Sequence, residues 1–233
     1  SLPTRDNAIY QLADALVRLS RFDFPVRLNE VTRGFFERTA GLQEGQVAAD
    51  MKAVAGGSPK PDAVRRLSRS PYYNAMMRTT CVATRLEGGH ADNALPQLAR
   101  AVVNCRMLPG ESPVEVKTTL ARVLGSQITL TQSGRPEPSP PSPLTPEVMR
   151  ALDTQVSAMW PGVPVVPVMT TGASDGRMLR SAGIPTFGLG LWDNVDDIRA
   201  HGRDERIGVR QFDEEVEFLY RLVKMLAAPQ AGS

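Results

Sequence analysis

Histidine and cysteine are scarce in this chain: 233 residues hold two of each. Cys81 and Cys105 are too few for a disulfide framework and lack a C-x-x-C spacing, so both read as buried free thiols in strand-like segments. His90 and His201 with the two cysteines cannot by themselves form a four-ligand zinc site. No apolar run reaches the length of a membrane-spanning helix. Charge of one sign is also lacking: 27 basic against 25 acidic residues give a net charge of +2, spread without a basic block. That argues against nucleic acid or an anionic membrane as a partner. Neither an initiator Met nor a signal sequence is visible before the polar helix start that follows Ser1. Targeting information is therefore missing, and the cytoplasm is only a default expectation.

What is present suggests two rhythms. Ile9, Leu12, Ala13, Leu16 and Leu19 share one helical face, with Thr4 or Asp6 as cap. Residues 29–55 read as less regular helix anchored by Val31, Phe35 and Phe36, broken by "GGSPKPD". "MMRTTCVATRL" suits a strand. After Gly88-Gly89 a second strand follows, with Ala101, Val103, Cys105 and Met107 on one face and Arg100, Asn104 and Arg106 on the other. Ser112, Pro113 and Glu115 signal the start of a helix, and Ile128 to Thr131 reads as a short strand.

"GRPEPSPPSP" is an extended connector. Beyond it helix and strand alternate. Thr145 and Pro146 open a helix, "VPVVPVMTT" and "IPTFGLG" read as buried strands of a mostly parallel sheet, and a short helix lies between them. The last helix carries Phe212, Val216, Leu219, Val223 and Leu226 on one stripe. The expected architecture is an α+β domain with an antiparallel sheet over 1–132, a connector over 133–143, and an incomplete α/β domain with mostly parallel strands over 144–233.

Gly172-Ala173-Ser174-Asp175-Gly176 is a literal G-x-S-x-G, and Asp193, Asp196 or Asp197 and then His201 follow in the order an α/β-hydrolase triad requires. The spacing argues against it: only one helix and one strand intervene, and no oxyanion-loop motif precedes. A glycine turn entering a helix also presents N–H groups to a carboxylate or a developing oxyanion.

Four segments together resemble one family, the zinc amidohydrolases that include succinyl-diaminopimelate desuccinylase, acetylornithine deacetylase, aminoacylase and carboxypeptidase G. They are "SLPTRDNAIYQLADAL", "LEGGHADNALPQLARAVVNCRMLPGE", "TTGASDGRMLRSAGIPTFGLG" and "HGRDERIGVRQFDEEVEFLYRLVKML". The insert from Asn29 to Asn74 matches loosely, in the manner of the carboxypeptidase-S-like branch. The resemblance implies a lid, or dimerisation, domain followed by the C-terminal half of a catalytic domain. It implies hydrolysis of an amide bond next to a free carboxylate, in N-acyl amino acids or short peptides, and a homodimer formed through the lid. Asn93, Arg106, Gly172 and Ser174 become substrate-binding residues, so Ser174 binds and does not attack. His201 becomes the terminal ligand of a site for two divalent metal ions, zinc foremost. His90 does not coincide with the family's lid histidine and reads as a hairpin residue. The remaining ligands and the general-base glutamate precede the lid in such enzymes and have no counterpart here, so the expectation is an inactive part of the enzyme. A non-catalytic dimerisation or binding protein derived from the lid is the alternative, and a serine hydrolase using Ser174 the third reading.

Overall fold

The computed structural model describes residues 4, 6–134, 138–172, 174–190, 199 and 202–228. By internal contacts the chain forms two compact units: 1–141 with 168–184, and 142–167 with 185–233.

In the first unit, helix α1 (Ala8–Ser20) is capped by the Asn7 side chain, which accepts from the Ile9 and Tyr10 amides; neither Thr4 nor Asp6 takes that role. A helical segment follows, made of α2 (Glu30–Ala40), α3 (Gly45–Ala55), α4 (Pro61–Leu67) and α5 (Pro71–Met77). Asn29 opens α2 with a capping box shared with Thr32. Phe36, Met51, Val54, Met76 and Met77 are fully buried here. Phe35 and Phe36 meet Tyr72 and Tyr73 with ring centroids 5.8 and 6.3 Å apart respectively. Asp50, 3% exposed, binds α4 to α3. Arg66 donates to both its oxygens at 2.7 and 2.6 Å, and Gln46 adds a bond at 2.9 Å. The Arg66 bonds hold this carboxyl below the usual carboxylate range against the opposing effect of burial.

Strands β1 (Thr80–Gly88) and β2 (Ala99–Arg106) pair antiparallel, from Thr80 opposite Arg106 to Gly88 opposite Ala99, with an irregularity between Ala83 and Arg85. One face of this ribbon lies on α1 and on α6 (Pro113–Leu124), where Ala15, Leu19, Phe24, Val116, Leu120 and Leu124 form the core and Cys81, Val103, Cys105 and Met107 cover it. Two strands alone are marginal in water, and this helical backing supplies the missing apolar area. The α1 residue Arg18 also donates to the Val123 carbonyl at 3.1 Å and to that of Leu124, satisfying the last turn of α6. Ser112 caps α6 as expected, accepting from the Glu115 amide, whereas the Glu115 carboxylate turns to Arg27 at 3.4 Å.

The cysteines correct the sequence reading. Cys81 and Cys105 are register partners with Cα atoms 4.1 Å apart and form a disulfide. Each lies in a strand, as read, but is half-buried where burial is expected; their direct opposition depends on the register, which neither local pattern contains.

In the second unit, α7 (Pro146–Met159), capped by Thr145, packs on α9 (Val209–Ala227) through Ala151, Leu152, Val156, Phe218 and Leu222. The stripe read from the sequence faces solvent instead: Val216 is 54% and Val223 61% exposed. Helix α8 (Gly176–Ser181) belongs to the first unit, where Arg180 Nε donates to Ser139 Oγ at 3.0 Å. The expected strands at 128–131, 163–171 and 184–190 do not form; the two-stranded ribbon is the sheet found among the described residues. An apolar run becomes a parallel strand only beside a neighbour that completes its ladder, and these runs have none among the described residues.

Candidate functional site

Alternation along β2 sets the chemistry of the hairpin. Ala101, Val103 and Cys105 turn towards the helices, while Arg100, Val102, Asn104 and Arg106 are exposed. Arg106 is therefore a cation on the outer face at the open end of the ribbon, opposite Thr80. Its guanidinium makes no hydrogen bond or ion pair among the described residues, leaving five donors for an external anion. The chain beyond it is held: Thr79, 1% exposed, accepts from the Leu108 amide at 3.1 Å and donates to the Glu111 carboxylate. Towards the other end Glu87 lies opposite Arg100 and pairs with Arg85.

Asn93 is exposed in the turn between β1 and β2, with no side-chain partner among the described residues. That loop leaves the sheet at Gly88 and Ala99, seven residues along β2 from Arg106, about 24 Å at ~3.4 Å per residue. The hairpin thus carries the two residues from opposite ends of the ribbon and does not gather them at one point. The turn needs its glycines. A Cβ on Gly88 would stand 3.2 Å from Ile9 Cγ1 and 3.3 Å from Ala99 Cβ, and Gly89 adopts a φ of +82°. A shallow open cleft at this end is lined by Glu87, His90, Gln97, Leu98 and Arg100. His90 belongs to it, as a hairpin residue.

Gly172 and Ser174 lie in the exposed turn that enters α8. Nothing stands within 4 Å of a Cβ placed on Gly172. The Ser174 carbonyl accepts from the Arg177 amide at 3.2 Å, and its hydroxyl has no base as partner among the described residues. With residues 163–171 outside any strand, the strand–turn–helix geometry of a nucleophile elbow is not built around Ser174. His201 lies outside the described residues.

The metal expectation does not find its ligands. Among the described residues no group of three or more His, Cys, Asp or Glu side chains could hold a metal ion. His90 is the one histidine among them, and it gathers fewer than the three or four ligands that hold zinc. The described residues therefore do not fit a metal centre.

Sequence comparison adds what geometry cannot. The family model described as "Peptidase dimerisation domain" matches residues 3–128. A probable carboxypeptidase S-like protein 2 of Dictyostelium discoideum is 29% identical over 96% of this chain and 43% of its own length. A human N-fatty-acyl-amino acid synthase/hydrolase is 26% identical over 96% of this chain and 46% of its own. A succinyl-diaminopimelate desuccinylase of Cereibacter sphaeroides is 31% identical over 63% of this chain and 38% of its own. The chain thus spans less than half the length of these curated relatives. No solved structure gives a significant match. The matched residues 3–128 contain α1, the helical segment, the hairpin and α6, and by them the chain belongs to the M20 peptidase family through its dimerisation domain.

Proposed function

We propose that this chain is the lid, over 1–132, and the C-terminal half of the catalytic domain, over 144–233, of a metal-dependent amidohydrolase or peptidase, joined by the proline-rich connector. The substrate class is an amide next to a free carboxylate, as the relatives' names imply for N-acyl amino acids and short peptides. The observation that carries this reading is the outward, unpartnered guanidinium of Arg106, whose planar fork suits a carboxylate. Asn93 binds the carboxylate or the reacting oxygen. Gly172 and Ser174 offer backbone and hydroxyl contacts, with Ser174 binding and not attacking. His201 is the one metal ligand we assign here, and the base glutamate and remaining ligands lie outside this chain, so on its own it does not turn over substrate. With Asn93 and Arg106 at opposite ends of the ribbon, a single substrate meets both when a second copy supplies one of them. That gives the homodimer a chemical role beyond stability.

The test has two arms. Purified chain should hold less than one tightly bound zinc and hydrolyse no N-acyl amino acid; near two zincs per chain, lost in His201→Ala, would overturn the assignment of ligands elsewhere. Arg106→Ala should weaken binding of an N-acyl amino acid by about 10- to 100-fold, the worth of a charge-assisted hydrogen bond, and leave its methyl amide unaffected. Equal losses for acid and amide would remove Arg106 from the carboxylate site.

A further inference from the structure

Arg106 occupies a weak place in the fold. It is the last residue of β2, at the open end of a two-stranded ribbon, where strand pairs fray most readily. A guanidinium that must meet a carboxylate needs its backbone fixed there. Two attachments bracket it. On one side Cys105, the preceding residue, is bonded to its register partner Cys81. On the other, the Leu108 amide is held by the buried Thr79 hydroxyl, itself bonded to Glu111. Alternation then separates the roles: Cys105 points towards the α1–α6 core, so Arg106 points outward.

We propose that the Cys81–Cys105 disulfide is a positioning device for Arg106, clamping the open end of the hairpin so that the guanidinium is presented at a fixed place. Arg106 is the group that touches substrate, and the cysteines act through it. The inference rests on the carboxylate-binding reading of Arg106 given above, but it fails or stands on measurements of its own. Opening the bond takes two electrons and two protons, leaving a thiol on each cysteine. With a phosphine reductant the phosphorus is oxidised to the phosphine oxide by oxygen from water, and the water supplies the two protons.

The experiment begins with a thiol count on unreduced, denatured chain. The expected result is none, rising to two per chain after the phosphine; two thiols before reduction would overturn the proposal. Peptide-level hydrogen exchange of the folded chain follows. Reduction should speed exchange in peptides covering 79–83 and 104–108 by at least about tenfold, while those covering 86–101 and α6 change less than twofold. Leu120→Ala, which weakens the core under the hairpin and leaves the bond closed, should speed all of them by a common factor. If reduction unfolds the chain, the double substitution Cys81→Val, Cys105→Val keeps apolar contact with the core and carries the same comparison. The acid-over-amide affinity ratio should fall on reduction towards that of Arg106→Ala, and Leu120→Ala should leave it unchanged. Uniform acceleration on reduction, or an unchanged ratio in a folded, reduced chain, would refute positioning. An acid-over-amide ratio of one in the oxidised chain would instead strike the reading of Arg106, with the thiol count and exchange pattern still judging the clamp.

Discussion

Asp50→Asn isolates the bond between α3 and α4. The carboxylate is almost entirely buried and accepts from Arg66 Nε, Arg66 Nη2 and Gln46 Nε2. All three partners are donors, so the NH2 of an asparagine must face one of them as a second donor. At least one charge-assisted bond is lost and another becomes an ordinary amide bond. Each hydrogen bond to a charged group is worth about 1.5–3 kcal/mol. The Arg66 side chain is 39% exposed and recovers part of the loss from water, which keeps the total near 2 kcal/mol, below the ~3–5 of a fully buried pair. Acid should erase the difference. Because Arg66 holds the folded Asp50 pKa below its unfolded value of about 3.9, the bond contributes fully above about pH 5 and is lost as pH falls through the folded pKa. Asparagine does not titrate, so wild type and variant converge on acidification. Hydrogen exchange of α3 and α4 peptides is the assay, with about 30-fold faster exchange expected in the variant at pH 7, converted to free energies at each pH. A variant within ~0.5 kcal/mol of wild type at pH 7, or a gap that does not narrow in acid, would refute the reasoning.

Phe36→Ala empties a fully buried ring site in the same segment and should destabilise it by about 3–5 kcal/mol in urea unfolding. Gly89→Ala forces a side chain into a φ of +82° and should lose about 1–2 kcal/mol, whereas Gly172→Ala, with open space around it, should leave the midpoint unchanged; a loss at both or at neither would contradict the local geometry.

Helices with a cap and an ordinary length were legible in the sequence. Ser112 with Pro113 and Thr145 with Pro146 mark α6 and α7 where they occur. The strict alternation of β2 identified the outward position of Arg106. Helices α4 and α5 were not read, because seven residues each between turn signals are too few to establish a period. For α9 the apolar residues fill two adjoining stripes; the periodicity reading takes the one with Val216 and Val223, whereas contact with α7 selects Phe218 and Leu222. The disulfide and the missing ladders share one cause: pairing belongs to two segments at once, and a pattern within one segment does not hold it. At the site, the types of Asn93 and Arg106 could be read, but their placement at opposite ends of a ribbon depends on the register.

The first unit is made of two stretches, 1–141 and 168–184, with helix α7 encoded between them. A chain emerging from the ribosome therefore completes the hairpin and α6 early but lacks the last stretch of that unit until residue 184 has been made. By then α7 is already exposed and waiting for α9, whose residues come later still. Translation order thus leaves the apolar face of α7, complete at Met159, uncovered until α9 begins at Val209. Slowing synthesis after residue 160 prolongs that interval, and with it the time for which the α7 face is open to a chaperone or a premature association.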